Sequence, residues 1–229
     1  MLHGFSETLS SRSNVRWLGS LLFLLGFTVL VLSGRGAEAQ RLRLDAGGGW
    51  AFPTNNLDLE AVNQPPNTSP VVLPVDLKGG PQVYAGIGFL RSIGEKFELG
   101  ARLRAHATQI RSEAACAPDQ CSSPEGRLLT ATIEGRIILT SPGWIHPYLL
   151  VGLGVVQTSL DGVTVESSGR TFGEVSVVDA GGDVGLGASV PIAGGLHLDA
   201  EVRATGSLPG GKENAVTVIP MTLGLAYNF

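Results

Sequence analysis

Residues 196–205 read Leu-His-Leu-Asp-Ala-Glu-Val-Arg-Ala-Thr, an apolar residue alternating with a polar one throughout. Successive side chains of an extended strand point to opposite faces, so this stretch has one greasy face and one ionic face. A helix cannot sort it that way, because its 3.6-residue repeat spreads both classes around the cylinder. The same period recurs where Phe97, Leu99, Ala101, Leu103 and Ala105 alternate with Glu98, Gly100, Arg102, Arg104 and His106. At the C-terminus Ile219, Met221, Leu223, Leu225, Tyr227 and Phe229 alternate with Pro220, Thr222, Gly224, Ala226 and Asn228.

Extending this reading gives eight strands, over roughly 41–52, 81–91, 96–109, 127–140, 145–157, 175–190, 195–206 and 215–229. Most exceed the five or six residues usual in globular sheets and match the ~9–11 that a tilted strand needs to cross a bilayer. The connections alternate: 53–80, 110–126 and 158–174 are long, 92–95, 141–144 and 191–194 are short, and 207–214 is intermediate. Long outer loops alternating with short inner turns are the pattern of a transmembrane barrel, and an even strand number puts both termini on the short-turn side. The fold expected is an eight-stranded antiparallel transmembrane β-barrel. Composition agrees: 32 Gly and 13 Pro disfavour helix, while 43% hydrophobic and 16% charged residues disfavour disorder. With 3 Lys and a net charge of −4 there is no basic footprint for nucleic acid.

The first 39 residues read as a separate unit. Arg12 and Arg16 precede an apolar run from Trp17 to Leu32, and Ala37-Glu38-Ala39 follows, as in a cleavable secretory signal. Residues 1–39 are therefore expected to be removed and 40–229 to form the barrel; no cysteine near the junction offers a lipid anchor. Cys116 and Cys121 lie in the exported part, where an oxidising compartment favours a disulfide stapling the second long loop. A C-x2-C metal knuckle would need another spacing and further ligands.

Magnitudes decide the sidedness. An outward face carrying His197, Asp199, Glu201 and Arg203 would put charges in hydrocarbon, at about 2–4 kcal/mol for an arginine at the midplane. The greasy faces therefore meet lipid and the ionic faces line the interior, where charges must be paired. Opposed residues on antiparallel neighbours sum to a constant. A turn centred near 193 gives 386 and sets Asp183 opposite Arg203; a sum near 236 sets Arg102 opposite Glu134.

The stretch His146-Pro147-Tyr148-Leu149-Leu150-Val151-Gly152-Leu153-Gly154 resembles the Pro-Tyr, Gly-x-Gly strand of the bacterial outer-membrane β-barrel domain family, which includes small barrels like outer-membrane proteins A and X. Val184-Gly185-Leu186-Gly187-Ala188 resembles its later glycine-rich strand, and Tyr227-Asn228-Phe229 its C-terminal aromatic signal. The resemblance implies an outer-membrane location and recognition of Tyr227 and Phe229 by the barrel-assembly machinery. Unlike two-domain members, the chain ends at the barrel, so no cell-wall tether is expected.

Catalysis finds little support in the sequence. Lipid A deacylase barrels carry His and Ser two apart on one strand face, whereas His106 is followed by Thr108 and His197 by Asp199. Asp179, Asp183, Asp199 and Glu201 form an inward acidic group, but Arg41, Arg43, Arg102, Arg104, Arg136 and Arg203 supply countercharge. No catalytic, metal or cofactor site is expected. The expected role is structural or adhesin-like, through a ligand met by loops 53–80 and 110–126, with outer-membrane lipid as the constant partner. The alternatives are a small-solute channel and a lipid-modifying enzyme.

Overall fold

The computed structural model describes residues 40–62, 71–114, 124–140, 143–165, 169–208 and 216–229. Residues 1–39, expected from the sequence to be a signal segment, and the cysteine pair Cys116 and Cys121 lie outside the described residues. In chain order the strands are β1 (Arg41–Pro53), β2 (Leu57–Glu60), β3 (Val72–Lys78), β4 (Gly80–Ile93), β5 (Phe97–Ala114), β6 (Glu125–Leu139), β7 (His146–Leu160), β8 (Val163–Val165), β9 (Arg170–Phe172), β10 (Val175–Ala193), β11 (Leu196–Ser207) and β12 (Val218–Asn228). Strands β1, β4, β5, β6, β7, β10, β11 and β12 pair in that order, all antiparallel, and β12 returns to β1. The ring is closed with eight strands.

Its dimensions follow from the register. Stepping across the ladder from Asn228 passes through Arg43, Gly88, Arg102, Glu134, Gly152, Asp183 and Thr205, and arrives back on β12 at Val218. One circuit therefore climbs 10 residues, from 228 to 218. At ~3.3 Å per residue and ~4.8 Å between strands, that stagger tilts the strands by about 41° and sets a backbone radius of about 8 Å. An inward arginine nearly reaches the axis of such a cylinder, so the interior has room for side chains and little else.

Burial confirms the sidedness. Leu223 is 62% exposed and Leu198 41%, whereas Glu201 is 3% exposed. Outward on β5 the residues from Phe97 to Ala107 are all apolar; a run of that length at the derived tilt covers about 25 Å, the height of an outer-membrane apolar band. Trp50 and Phe52 face outward at one edge of the band, and Phe89, Phe97, Trp144, Tyr227 and Phe229 at the other.

Glycines make room inside. Tyr84 faces Gly47 across one pair, Gly47 faces Gly224 across the next, and a methyl group at Gly224 would collide with the Tyr84 hydroxyl. The tyrosine ring thus lies over two residues that lack side chains.

The register between β10 and β11 corrects the sequence expectation. Asp183 stands opposite Thr205 and Arg203 opposite Gly185, a sum of 388 rather than 386. The turn is the pair Gly194 and Gly195, both with positive φ (53° and 86°), and the ladder shifts between Pro191 and Ala193. A two-residue turn of that kind centres beyond residue 194, and the bulge at Ile192 then takes up one residue. A second correction concerns the loops. The segments 53–80 and 158–174, read as long connections, contain β2, β3, β8 and β9. β3 also pairs with the outer end of β5, and Gly79 alone separates it from β4.

Overpacking a filled interior costs about 1–3 kcal/mol. Gly224→Ala should lower unfolding free energy in detergent by that amount, read from the temperature at which the compact gel band is lost. Tyr84→Phe should recover part of it; no recovery would show that the glycine serves something other than the ring.

Candidate functional site

The inward faces converge on an ionic cluster at mid-height. Its buried cations are Arg43, Arg102, Arg104, Arg136 and Arg203, and its buried carboxylates are Asp45, Glu134, Asp183, Asp199 and Glu201. Five of each sign leave the cluster formally neutral, the condition for keeping it out of water. Arg102 stands opposite Glu134, with Nε 2.9 Å from its carboxylate, and also reaches Asp45 at 2.9 Å and Glu201 at 3.3 Å. Arg203 donates to Glu134 at 2.9 Å and to Asp183 at 3.3 Å. The Asp183–Arg203 contact is thus diagonal rather than directly across the ladder.

Glu201 is the hub. It accepts from Arg102, Arg104 and Arg203 and from the Tyr148 hydroxyl at 2.7 Å. Arg104 also lies 3.5 Å over the Tyr84 ring and Arg136 4.0 Å over Tyr148. Nearer the chain termini, Arg43 and Arg136 share Asp199 at 2.5 and 3.5 Å.

Apolar clusters flank the ionic cluster on both sides. Toward the inner end Leu90, Ile138, Tyr148 and Leu150 of β4, β6 and β7 pack together. The outer end carries a larger core, in which Leu57, Leu59, Leu73, Val75 and Leu77 of the first loop meet Val163 and Phe172 of the third. These pack on Ile110, Leu128, Val156 and Leu160 of the wall. The two loops also join through backbone bonds, Val62 donating to Thr171 (2.8 Å) and Gly173 to Glu60 (3.1 Å). Together they form an ordered cap. A void beside Arg43, Arg102 and Arg136 measures about 10 Å³, space for about one water.

Two constellations have chemical potential. His106, Glu134 and Asp183 bring ligand atoms within 4.8 Å of one another. The Arg203 guanidinium already stands among them, 3.3 Å from His106 Nε2, 2.9 Å from Glu134 and 3.3 Å from Asp183. A protein cation thus occupies the position a metal would take. At the inner mouth Ser189 Oγ lies 3.3 Å from His197 Nδ1, and His197 Nε2 lies 2.9 Å from the Asn228 amide. Ser189 is 2% exposed, and Asp199 is committed to arginines. The seryl oxygen is thus buried, and the group behind its histidine is the Asn228 amide rather than a carboxylate.

Of the residues singled out in the sequence, Arg102, Glu134, Asp183 and Arg203 meet in one cluster, while Cys116 and Cys121 fall outside the described residues. Tyr227 and Phe229 lie on the outward face at the inner end, in an edge-on contact at 4.7 Å. Sequence reasoning missed the cap core, although Leu57-x-Leu59 and Leu73-x-Val75-x-Leu77 carry the two-residue period. It also missed Tyr84 and Tyr148, which cover the arginines.

Removing one partner of a buried ion pair costs about 3–5 kcal/mol, so Arg203→Ala should lower stability by that order. The same change should expose the three ligands, and Zn²⁺ should then raise the melting temperature of Arg203→Ala while leaving the parent protein unmoved. An unresponsive variant would show that the guanidinium is not what holds a cation's place.

No family model matches the chain, and no curated protein matches it in sequence. Among solved structures it is similar to a major outer-membrane protein from Thermus thermophilus (TM-score 0.54, 14% identity, covering 83% of this chain and 100% of that one). It is also similar to OprG from Pseudomonas aeruginosa (0.49, 15%, 85% and 98%) and to Neisserial surface protein A (0.48, 16%, 85% and 100%). At these identities the likeness speaks to fold alone. Joined to the apolar belt, the closed ring and the ionic interior, the likeness to the Thermus thermophilus protein gives one conclusion about fold: the chain is an eight-stranded antiparallel transmembrane β-barrel of the outer-membrane type.

Proposed function

We propose that this barrel is non-enzymatic and acts through its outer surface, as a structural or adhesin-like element of the envelope. One observation carries the reading: the interior is occupied by a formally neutral buried ionic cluster flanked by apolar clusters, while the outer loops fold into a cap with a core of its own. Building such a cap from two distant loops is of no use to an open pore. Rigid loops on a rigid scaffold are, by contrast, where binding surfaces are found. The ligand is met by the first loop, 53–80, together with the second, 110–126. Tyr227, outward on the closing strand β12, and Phe229, directly after it, are the residues offered to the assembly machinery during insertion.

The channel reading would need a continuous water path past Glu201 and its arginines. Reconstituted into planar bilayers at neutral pH, the protein should give no steady conductance; resolved single-channel steps would overturn this reading in favour of a channel. A seryl-enzyme reading would need Ser189, which is 2% exposed, to meet substrate; on the non-enzymatic reading a fluorophosphonate probe should leave the folded protein unlabelled. Replacing residues 55–77 with a short Gly-Ser linker should leave a membrane-inserted, heat-modifiable barrel. If the cap binds, that protein should also lose the adherence conferred on a non-adherent host strain, and retained adherence would remove the cap from the function.

A further inference from the structure

The outward face changes abruptly where the apolar band ends at the outer leaflet. On β6 the outward residues Leu139, Ile137, Ile133, Ala131 and Leu129 lead to Arg127 and then Glu125. On β5 the run from Phe97 to Ala107 leads through Gln109 to Arg111 and then Glu113. On β3, which pairs with β5 through Lys78 and Arg111, the order is again Lys78 and then Asp76. Three adjacent strands thus present a cation at the membrane-proximal position and an acid one outward step beyond.

The cations are not equivalent. Lys78 is engaged by Asp76 at 2.5 Å and Glu113 at 3.7 Å. Arg111 and Arg127 make no ion pair within 4.0 Å among the described residues, although Arg111 faces Glu125 across the ladder. Arg111 instead lies 6.0 Å over the ring of Trp50, an aromatic of the outer girdle, which holds the guanidinium at the boundary. Arg127 faces Gln109, two residues before Arg111, so the two arginines are diagonal neighbours about 7–8 Å apart at the backbone.

We propose that Arg111 and Arg127 form a binding site for the phosphate groups of a phosphorylated lipid in the outer leaflet, with Trp50 packed against its uppermost methylenes. Arginine's planar fork matches a phosphate bidentately, and the site lies at the depth where headgroup phosphates meet the hydrocarbon edge. The acids one step out repel phosphate from any higher position, which fixes the depth of the lipid. The site is independent of what the cap binds and draws only on the placement of the barrel in the membrane.

Native mass spectrometry of the detergent-extracted barrel with bisphosphorylated lipid A tests this. The protein should retain lipid A at least roughly tenfold better than the phosphate-free form, and Arg111→Gln with Arg127→Gln should abolish that preference. The variant should keep the heat-modifiable band of the parent, and Lys96→Gln at an inner turn should behave as the parent does. Equal retention of the two lipids, or equal retention by the double variant, overturns the site. So does displacement of lipid A by equimolar inorganic phosphate, which would make it a free-anion site, or a second copy of the chain occupying the patch in place of lipid.

Discussion

Hydrocarbon offers no hydrogen-bond partner to a peptide group, so a sheet that enters it must pair every strand on both sides. Closure is the constraint from which the remaining features descend. Eight strands with a climb of 10 residues per circuit fix both tilt and radius, and the radius fixes how much can be put inside. The interior residues are chosen against that volume. Tyrosine is accommodated over glycine, and each long arginine is met by a carboxylate reaching from another part of the wall.

The ionic core shows how a membrane protein inverts the usual order of inside and outside. Apolar surface needs no burial here, because lipid already receives it; polar surface does. Glu201 draws three guanidinium groups and a phenol from β5, β7 and its own strand β11, so the cluster ties the wall together across the lumen. A pair such as Arg102 and Glu134 lies side by side on adjacent strands and reports only local register. The contacts from β5 to Glu201 exist only once the ring is complete.

Much of this was written in the alternation of the chain. Eight strands and their inner and outer faces follow from the two-residue period, because a slip by one residue would turn every charge toward lipid. Lengths were less legible. β5 runs to Ala114, beyond the apolar band, because it is supported there by β3 rather than by lipid contact. The cap strands were hidden by Pro65, Pro66, Pro70 and Pro74, which mark loop even where Leu73, Val75 and Leu77 alternate beside them. Across the second outer loop the observed sum is 236, whereas near Ile192 a single bulged residue, invisible in composition, moved the register. The hub role of Glu201 had no local signature, since it depends on which strands stand opposite one another across the barrel.

β3 and β4 are nearly one continuous strand, interrupted only at Gly79. The segment that supplies Leu73, Val75 and Leu77 to the cap therefore continues straight into the lipid-embedded wall. A pull on the outer surface would be carried along this backbone and resisted by β5 on one flank and β1 on the other. Such a load meets many ladder bonds in shear at once, where a hairpin loop on a flexible tether would peel them apart singly. Mechanically, the cap is an extension of the anchor.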